Sequence, residues 1–224
     1  MDFKNKKFIL IGAVVIVALL AAGGIYYFLK IKNNTPAFPY VIDFSNVQGV
    51  SSEQLQRMKD DYQRAKESYL KAPGNDNSLM IIGFLYYQLK DFTKAKEVYI
   101  KAAEARPNNY NSYWNLANTC LQLKDYPCAE QGFLKAIETG SNYAKHYVAL
   151  TELYSSYMPE KKSQIPDILK KGLQVLPKDY DLLIGLAQYY AGAGDKTNAI
   201  KYYQEIIKNY PQYKQQIEEE IKNL

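Results

Sequence analysis

Residues 79–141 read LMIIGFLYYQLKDFTKAKEVYIKAAEARPNNYNSYWNLANTCLQLKDYPCAEQGFLKAIETGS, and they hold one helical hairpin written twice. In the first copy Ile82, Gly83 and Tyr86 fall on one helical face. A turn follows at Asp91-Phe92, then Ala95, Tyr99 and Ala102 at helical spacing, then Pro107. In the second copy, 34 positions later, the same slots hold Leu116, Ala117, Cys120, Asp125-Tyr126, Ala129, Phe133, Ala136 and Ser141. Self-similarity at this period marks a helical solenoid, in which each unit buries its apolar face only against its neighbours.

Working outward, residues 51–72 read as one helix. Ser51-Ser52 is suited to cap it, with Glu53 in the first turn. Leu55, Met58, Tyr62, Ala65, Tyr69 and Ala72 follow at spacings of three and four, which is a single apolar stripe. Pro73-Gly74 ends it. Its second half, AKESYLKAP, echoes AKEVYIKAAEARP at residues 95–107, so it is expected to cap the first full unit. A third unit, about 144–179, keeps Tyr147, Leu150 and Tyr154 but carries a longer turn through Pro159. Its second helix holds Ile165, Leu169, Gly172 and Leu176, with Pro166 in the opening turn. A fourth, about 180–213, is regular: Leu183, Leu186, Ala187 and Tyr190, a Gly192–Gly194 turn, then Ala199, Tyr203, Ile206 and Pro211. Residues 214–224 form a terminal helix with Ile217, Ile221 and Leu224 inward and Glu218-Glu219-Glu220 toward water.

The signature of the two central units, about 76–109 and 110–143, resembles the tetratricopeptide repeat: a large residue, Leu-Gly, Tyr, then Ala, an aromatic and Ala on a second helix, then Pro. The resemblance implies an all-α, right-handed solenoid over residues 51–224. It further implies a concave groove, lined by the first helices, that grips a partner segment.

The N-terminus is of another kind. Residues 1–32 read as an anchor. Lys4, Lys6 and Lys7 precede residues 8–29, which contain no charge, and Lys30 and Lys32 follow. At ~1.5 Å per residue this run spans ~33 Å, enough for a transmembrane helix. A cleaved secretory signal is the competing reading, with Ala21-Ala22-Gly23-Gly24 as its cleavage region. The run is longer than a signal core of ~7–15 residues, which favours a retained signal-anchor. One more Lys on the N-terminal side places the N-terminus in the cytoplasm and the repeats outside it, periplasmic or extracellular. Residues 33–50 form an extended linker through Pro36 and Pro39, too apolar (Phe38, Tyr40, Val41, Ile42, Phe44) to stay solvated. It either docks on the solenoid, where it could fill the groove, or meets a partner.

Charge excludes some functions. Residues 1–32 hold five Lys and one Asp, so the rest of the chain carries 23 basic and 22 acidic side chains. A net +1, with only Arg57, Arg64 and Arg106, argues against a nucleic-acid surface. One His and two Cys fall short of a zinc site, and no cofactor is expected. Cys120 and Cys128 share the second unit; unpaired thiols are the simpler reading, and a disulfide across the hairpin is the alternative in an oxidising compartment. His146 has no neighbouring Ser or Asp constellation, and Gly192-Ala193-Gly194 joins two helices rather than cradling phosphate. The chain is not expected to be an enzyme.

The resemblance maps the groove onto Met80, Phe84, Tyr87 and Gln88 in the first unit, and onto Trp114, Asn118, Leu121 and Gln122 in the second. Lys145, Val148, Glu152 and Ser155 follow in the third, and Asp181, Ile184 and Gln188 in the fourth. Phe84, Tyr87, Trp114 and Leu121 are expected to form one apolar surface. A two-carboxylate clamp known in this family needs Lys, Asn and Arg in five slots. Only Asn115 and Lys145 fit, while Met80, Phe84 and Ala149 stand where the rest should be. An unmatched buried carboxylate would be costly, so that ligand is excluded. The expected role is a membrane-anchored protein–protein scaffold, of the kind serving envelope assembly, secretion or pilus biogenesis in prokaryotes. A self-assembling module that oligomerises at the membrane is the alternative.

Overall fold

The computed structural model describes residues 37–224, and among these residues it contains ten α-helices, two short 3-10 helices and no strand. The expected membrane span at residues 8–29 lies outside the described residues. No described helix is long and apolar enough to cross a membrane.

Helix α1 spans Ser52–Lys71 and opens on a capping box: the Ser51 hydroxyl accepts from the Gln54 backbone N–H, and the Gln54 side chain accepts from the Ser51 N–H. Met58, Tyr62 and Ala65 are buried, whereas Ala72, expected on the same stripe, sits exposed at the C-cap. Three hairpins share one pattern: α2 (Asp76–Gln88) with α3 (Phe92–Ala105), α4 (Tyr110–Gln122) with α5 (Tyr126–Thr139), and α8 (Tyr180–Gly192) with α9 (Lys196–Asn209). In each, the turn residue is left-handed: Lys90 (φ 60°), Lys124 (φ 57°) and Gly194 (φ 75°). The next residue, Asp91, Asp125 or Asp195, donates its N–H back to Tyr86, Cys120 or Tyr190 and caps the following helix with its carboxylate. One Asp thus both closes one helix and starts the next.

The third hairpin departs from this. Helix α6 (Ala144–Tyr157) is followed by a 3-10 segment, Pro159–Gln164, before α7 (Ile165–Val175). Pro166 stands in the first turn of α7, as expected. The longer turn is tied down by Lys161, whose ammonium lies 2.5 Å from the Glu130 carboxylate of α5. A second 3-10 turn, Pro211–Tyr213, leads into α10 (Lys214–Lys222).

Each helix packs chiefly on the ones before and after it in sequence. The core is therefore a ribbon rather than a ball. Its central part joins Phe133, Tyr147, Leu150, Leu169, Leu182 and Leu186. Its C-terminal part joins Leu183, Ala187, Tyr203 and Ile206 to Ile217 of α10, which closes that end while Glu218, Glu219 and Glu220 face outward. Residues 37–41 form part of a separate unit in which Phe38 meets Tyr40 edge-on.

Candidate functional site

The first helices α2, α4, α6 and α8 present two hollows. The first, about 210 Å³, is lined by Phe84 and Tyr87 of α2 and by Trp114, Asn115 and Asn118 of α4, with Tyr99 of α3 behind them. Phe84 is 51% exposed despite its size. Tyr87 is held from below by Phe92, edge-on at 5.3 Å between ring centroids. The Asn118 amide donates to the Trp114 carbonyl at 2.7 Å, which fixes its orientation along α4. Tyr99 is buried, and burial, with the Tyr87 hydroxyl adding to it, pushes its phenol far above the ordinary value. It stays a neutral wall.

Trp114 is less free than its slot suggests. Its ring lies 5.5 Å from Phe133 and 5.2 Å from His146, and Lys145 sits 5.0 Å over its face. It is half core residue and half groove residue. His146 is buried, with Nδ1 2.9 Å from the Gly140 carbonyl, so this nitrogen carries the proton in the neutral ring. Burial holds its pKa below the ordinary value, and neighbouring Lys145 adds to that. It is a packing residue among Tyr110, Trp114 and Tyr143.

The second hollow, about 400 Å³, lies between α6 and α8. Val148, Glu152 and Ser155 face Asp181, Ile184 and Gln188 across it, and Ile165 and Leu169 of α7 are among its apolar lining. Thr151, Gly185 and Tyr189 complete the lining. A side-chain carbon at Gly185 would stand 3.1 Å from Leu169, so the missing side chain keeps this wall low.

The remaining expected groove residues are placed differently. Leu121 packs against the core, so it does not join Phe84, Tyr87 and Trp114 at the first hollow. Met80 is half-buried and its sulfur accepts from the Ser112 hydroxyl at 3.4 Å. Gln88 and Gln122 are exposed at the ends of α2 and α4. Lys145 is exposed and covers Trp114 and Tyr143. Tyr99, Ile165 and Leu169 were not anticipated as lining, because they lie on second helices and their slots read only as core.

The linker does not occupy either hollow over residues 42–50. Ile42 is buried and Phe44 meets Tyr62 of α1 edge-on at 5.7 Å. Of the two readings of the cysteines, the structure has the alternative: Cys120 and Cys128 are bonded, with Cα atoms 5.8 Å apart across the hairpin. Asp125 lies beside them but is bound to Lys96 at 2.6 Å, and bonded sulfurs are not thiolate ligands, so the trio makes no cation site in this state.

Residues 76–109 and 179–213 match models of the tetratricopeptide repeat. The chain thus carries tetratricopeptide repeats arranged as their solenoid. Among proteins of curated function, none matches the sequence. Similar solved structures include MamA, at 18% identity over 75% of this chain and 99% of that one, TM-score 0.57. YrrB, described as a TPR protein with an unusual peptide-binding site, is 16% identical over 88% and 98%, TM-score 0.56. PilF of Pseudomonas aeruginosa is 17% identical over 71% of each chain, TM-score 0.52. At these identities the likeness is one of fold.

Proposed function

We propose that this protein is a membrane-anchored scaffold that binds a segment of a partner protein along its first-helix face, outside the cytoplasm. The observation that carries the reading is the first hollow, where Phe84 is exposed beside Tyr87 and Trp114. Aromatic side chains around a pocket are common binding anchors, and large exposed apolar groups cost solubility unless a contact uses them. A peptide-binding site on the similarly folded YrrB is in keeping with this role. Repeat scaffolds hold partners rather than transform them, and the buried, single His146 offers no reaction centre. The uncharged run at residues 8–29 supplies the anchor, and the flanking lysines set the orientation. The Cys120–Cys128 disulfide supports that orientation, since such bonds persist in oxidising compartments.

The experiment is site-specific photocrosslinking in intact membranes. A crosslinker at Phe84 should capture a discrete partner, and one at Lys135, exposed on α5, should not. Equal yields from both positions would remove the groove from the account. Added protease should digest the repeats in intact spheroplasts; protection until lysis would reverse the topology.

A further inference from the structure

The second hollow has a chemistry of its own. Its lining is apolar at Val148, Ile165, Leu169 and Ile184, and carries one carboxylate on each facing helix, Glu152 of α6 and Asp181 of α8. No Lys or Arg lines it. Neither carboxylate makes an ion pair among the described residues, whereas Asp76, Asp125 and Glu130 are matched by Arg106, Lys96 and Lys161. Of the nearby lysines, Lys145 lies over Trp114, Lys161 pairs with Glu130 and Lys170 lies over the Tyr190 ring, while Lys178, three residues before Asp181, is exposed and does not line the hollow. The chain leaves a negative, apolar-walled hollow that its own cations do not fill.

We infer that this hollow receives a basic side chain, Lys or Arg, from the partner segment, while the Phe84–Trp114 hollow receives an apolar one. The inference rests on the groove reading above and adds the charge of the ligand to it. A long basic side chain is the group that suits both halves of the hollow. Its methylene stem covers apolar surface while its charged head reaches the carboxylates. An acidic segment would meet Glu152 and Asp181 with like charge, and a purely apolar one would leave them unmatched at a closing interface. Spacing follows from the architecture. The hollows lie two units apart, and packed helices stand ~8–10 Å apart, so their centres are ~16–20 Å apart. An extended chain covers that distance in about five to six residues at ~3.3 Å each.

The test uses the full-length chain in detergent and fluorescent twelve-residue peptides. Each carries one Leu and one Arg separated by three to eight Gly/Ser positions, with Gln and Glu analogues of the Arg. Binding is read by anisotropy. Peptides with the Arg five or six residues from the Leu should bind about three- to tenfold tighter than their Gln analogues, and the Glu analogues should be weakest. The exposed pair Glu152→Gln and Asp181→Asn should erase the Arg preference while leaving the far-UV spectrum unchanged. Phe84→Ala should weaken all the peptides together. An absent Arg preference, or one that survives the double substitution, overturns the basic-residue inference. In that case the groove reading stands if Phe84→Ala still weakens binding. Insensitivity to Phe84→Ala, or no binding by any peptide, overturns both.

Discussion

At the scale of single residues, the packing hangs on positions where a few atoms decide the outcome. A side-chain carbon added at Gly132 would stand 2.8 Å from the Cβ and 3.0 Å from the Cα of Ala117. Backbone cannot turn aside as a side chain can, so α4 and α5 would have to separate. Gly132→Ala is expected to cost about 1–3 kcal/mol and to lower the melting temperature. Helix propensity alone would predict a gain of up to ~1 kcal/mol from the same change, so the sign separates the two effects. Ala129, one of the repeat-slot residues, is fully buried in the same hairpin. The glycine three positions on was not singled out because a helical Gly reads only as a weak point. Tyr147 is the opposite case. The matching slots of the first and fourth units hold Leu79 and Leu183, both buried. Tyr147 places a hydroxyl there that is buried without a hydrogen-bond partner among the described residues, and burial raises its pKa. Such a group costs about 1–3 kcal/mol. Tyr147→Phe is therefore expected to raise the melting temperature, and a loss of stability would mean that the hydroxyl has a partner.

At the scale of elements, the regular hairpins were legible and the irregular one was legible only as a break. The turn aspartates recur at fixed positions, and a residue that ends one helix and caps the next leaves little choice of boundary. The turn after α6 lacks that Asp, and its sequence shows a proline and two extra residues without saying what holds them. The holding contact is 31 positions away, between Lys161 and Glu130, with the Tyr154 hydroxyl donating to the same carboxylate at 2.5 Å. No local pattern announces a pair at that separation. Nor does spacing decide the cysteines: both readings fit the sequence, and only the 5.8 Å approach of their Cα atoms selects the bonded one. The Glu130 side chain is 14% exposed and that of Lys161 28%, so the pair is partly withdrawn from water. Burial would raise its pKa, but the Lys161 and Tyr154 hydrogen bonds outweigh it and hold the pKa below 4.5. The stabilisation is thus complete above pH ~4.5 and is lost as pH falls through the lowered folded-state value. Lys161→Ala is expected to destabilise by about 1–3 kcal/mol at neutral pH, by leaving the carboxylate with only Tyr154. The deficit should shrink in acid. Hydrogen exchange should speed up in residues 159–164 before it does elsewhere, and a deficit that is independent of pH would exclude the ion pair as its cause.

At the scale of the whole molecule, a stack of hairpins has two open ends, and each must be covered by something that is not another repeat. The C-terminal cover, α10, was legible because its apolar stripe and glutamate run are local. The N-terminal cover is a composite. Helix α1 packs on α2, Phe44 meets Tyr62 of α1 edge-on, and Ile42 is buried. Sequence allowed those apolar residues either on the solenoid or in its groove, since hydrophobicity demands burial without naming the surface that provides it. The contact of Phe44 with α1 changes what removing this segment should do. A linker lodged in the groove would shield Trp114, and its deletion would expose the indole. A linker on α1 leaves Trp114 untouched, because none of residues 42–50 lines the hollow that holds it. Deleting residues 42–50 is therefore expected to leave the emission maximum of this single Trp in place. It should lower stability by about 2–4 kcal/mol, the loss expected for one buried aliphatic and one half-buried aromatic side chain. The capping box at Ser51 survives the cut, so α1 should remain helical. The measurement is Trp fluorescence alongside urea unfolding of the full-length and deleted chains. A red shift with unchanged stability would place the linker in the groove, where it would compete with any partner segment.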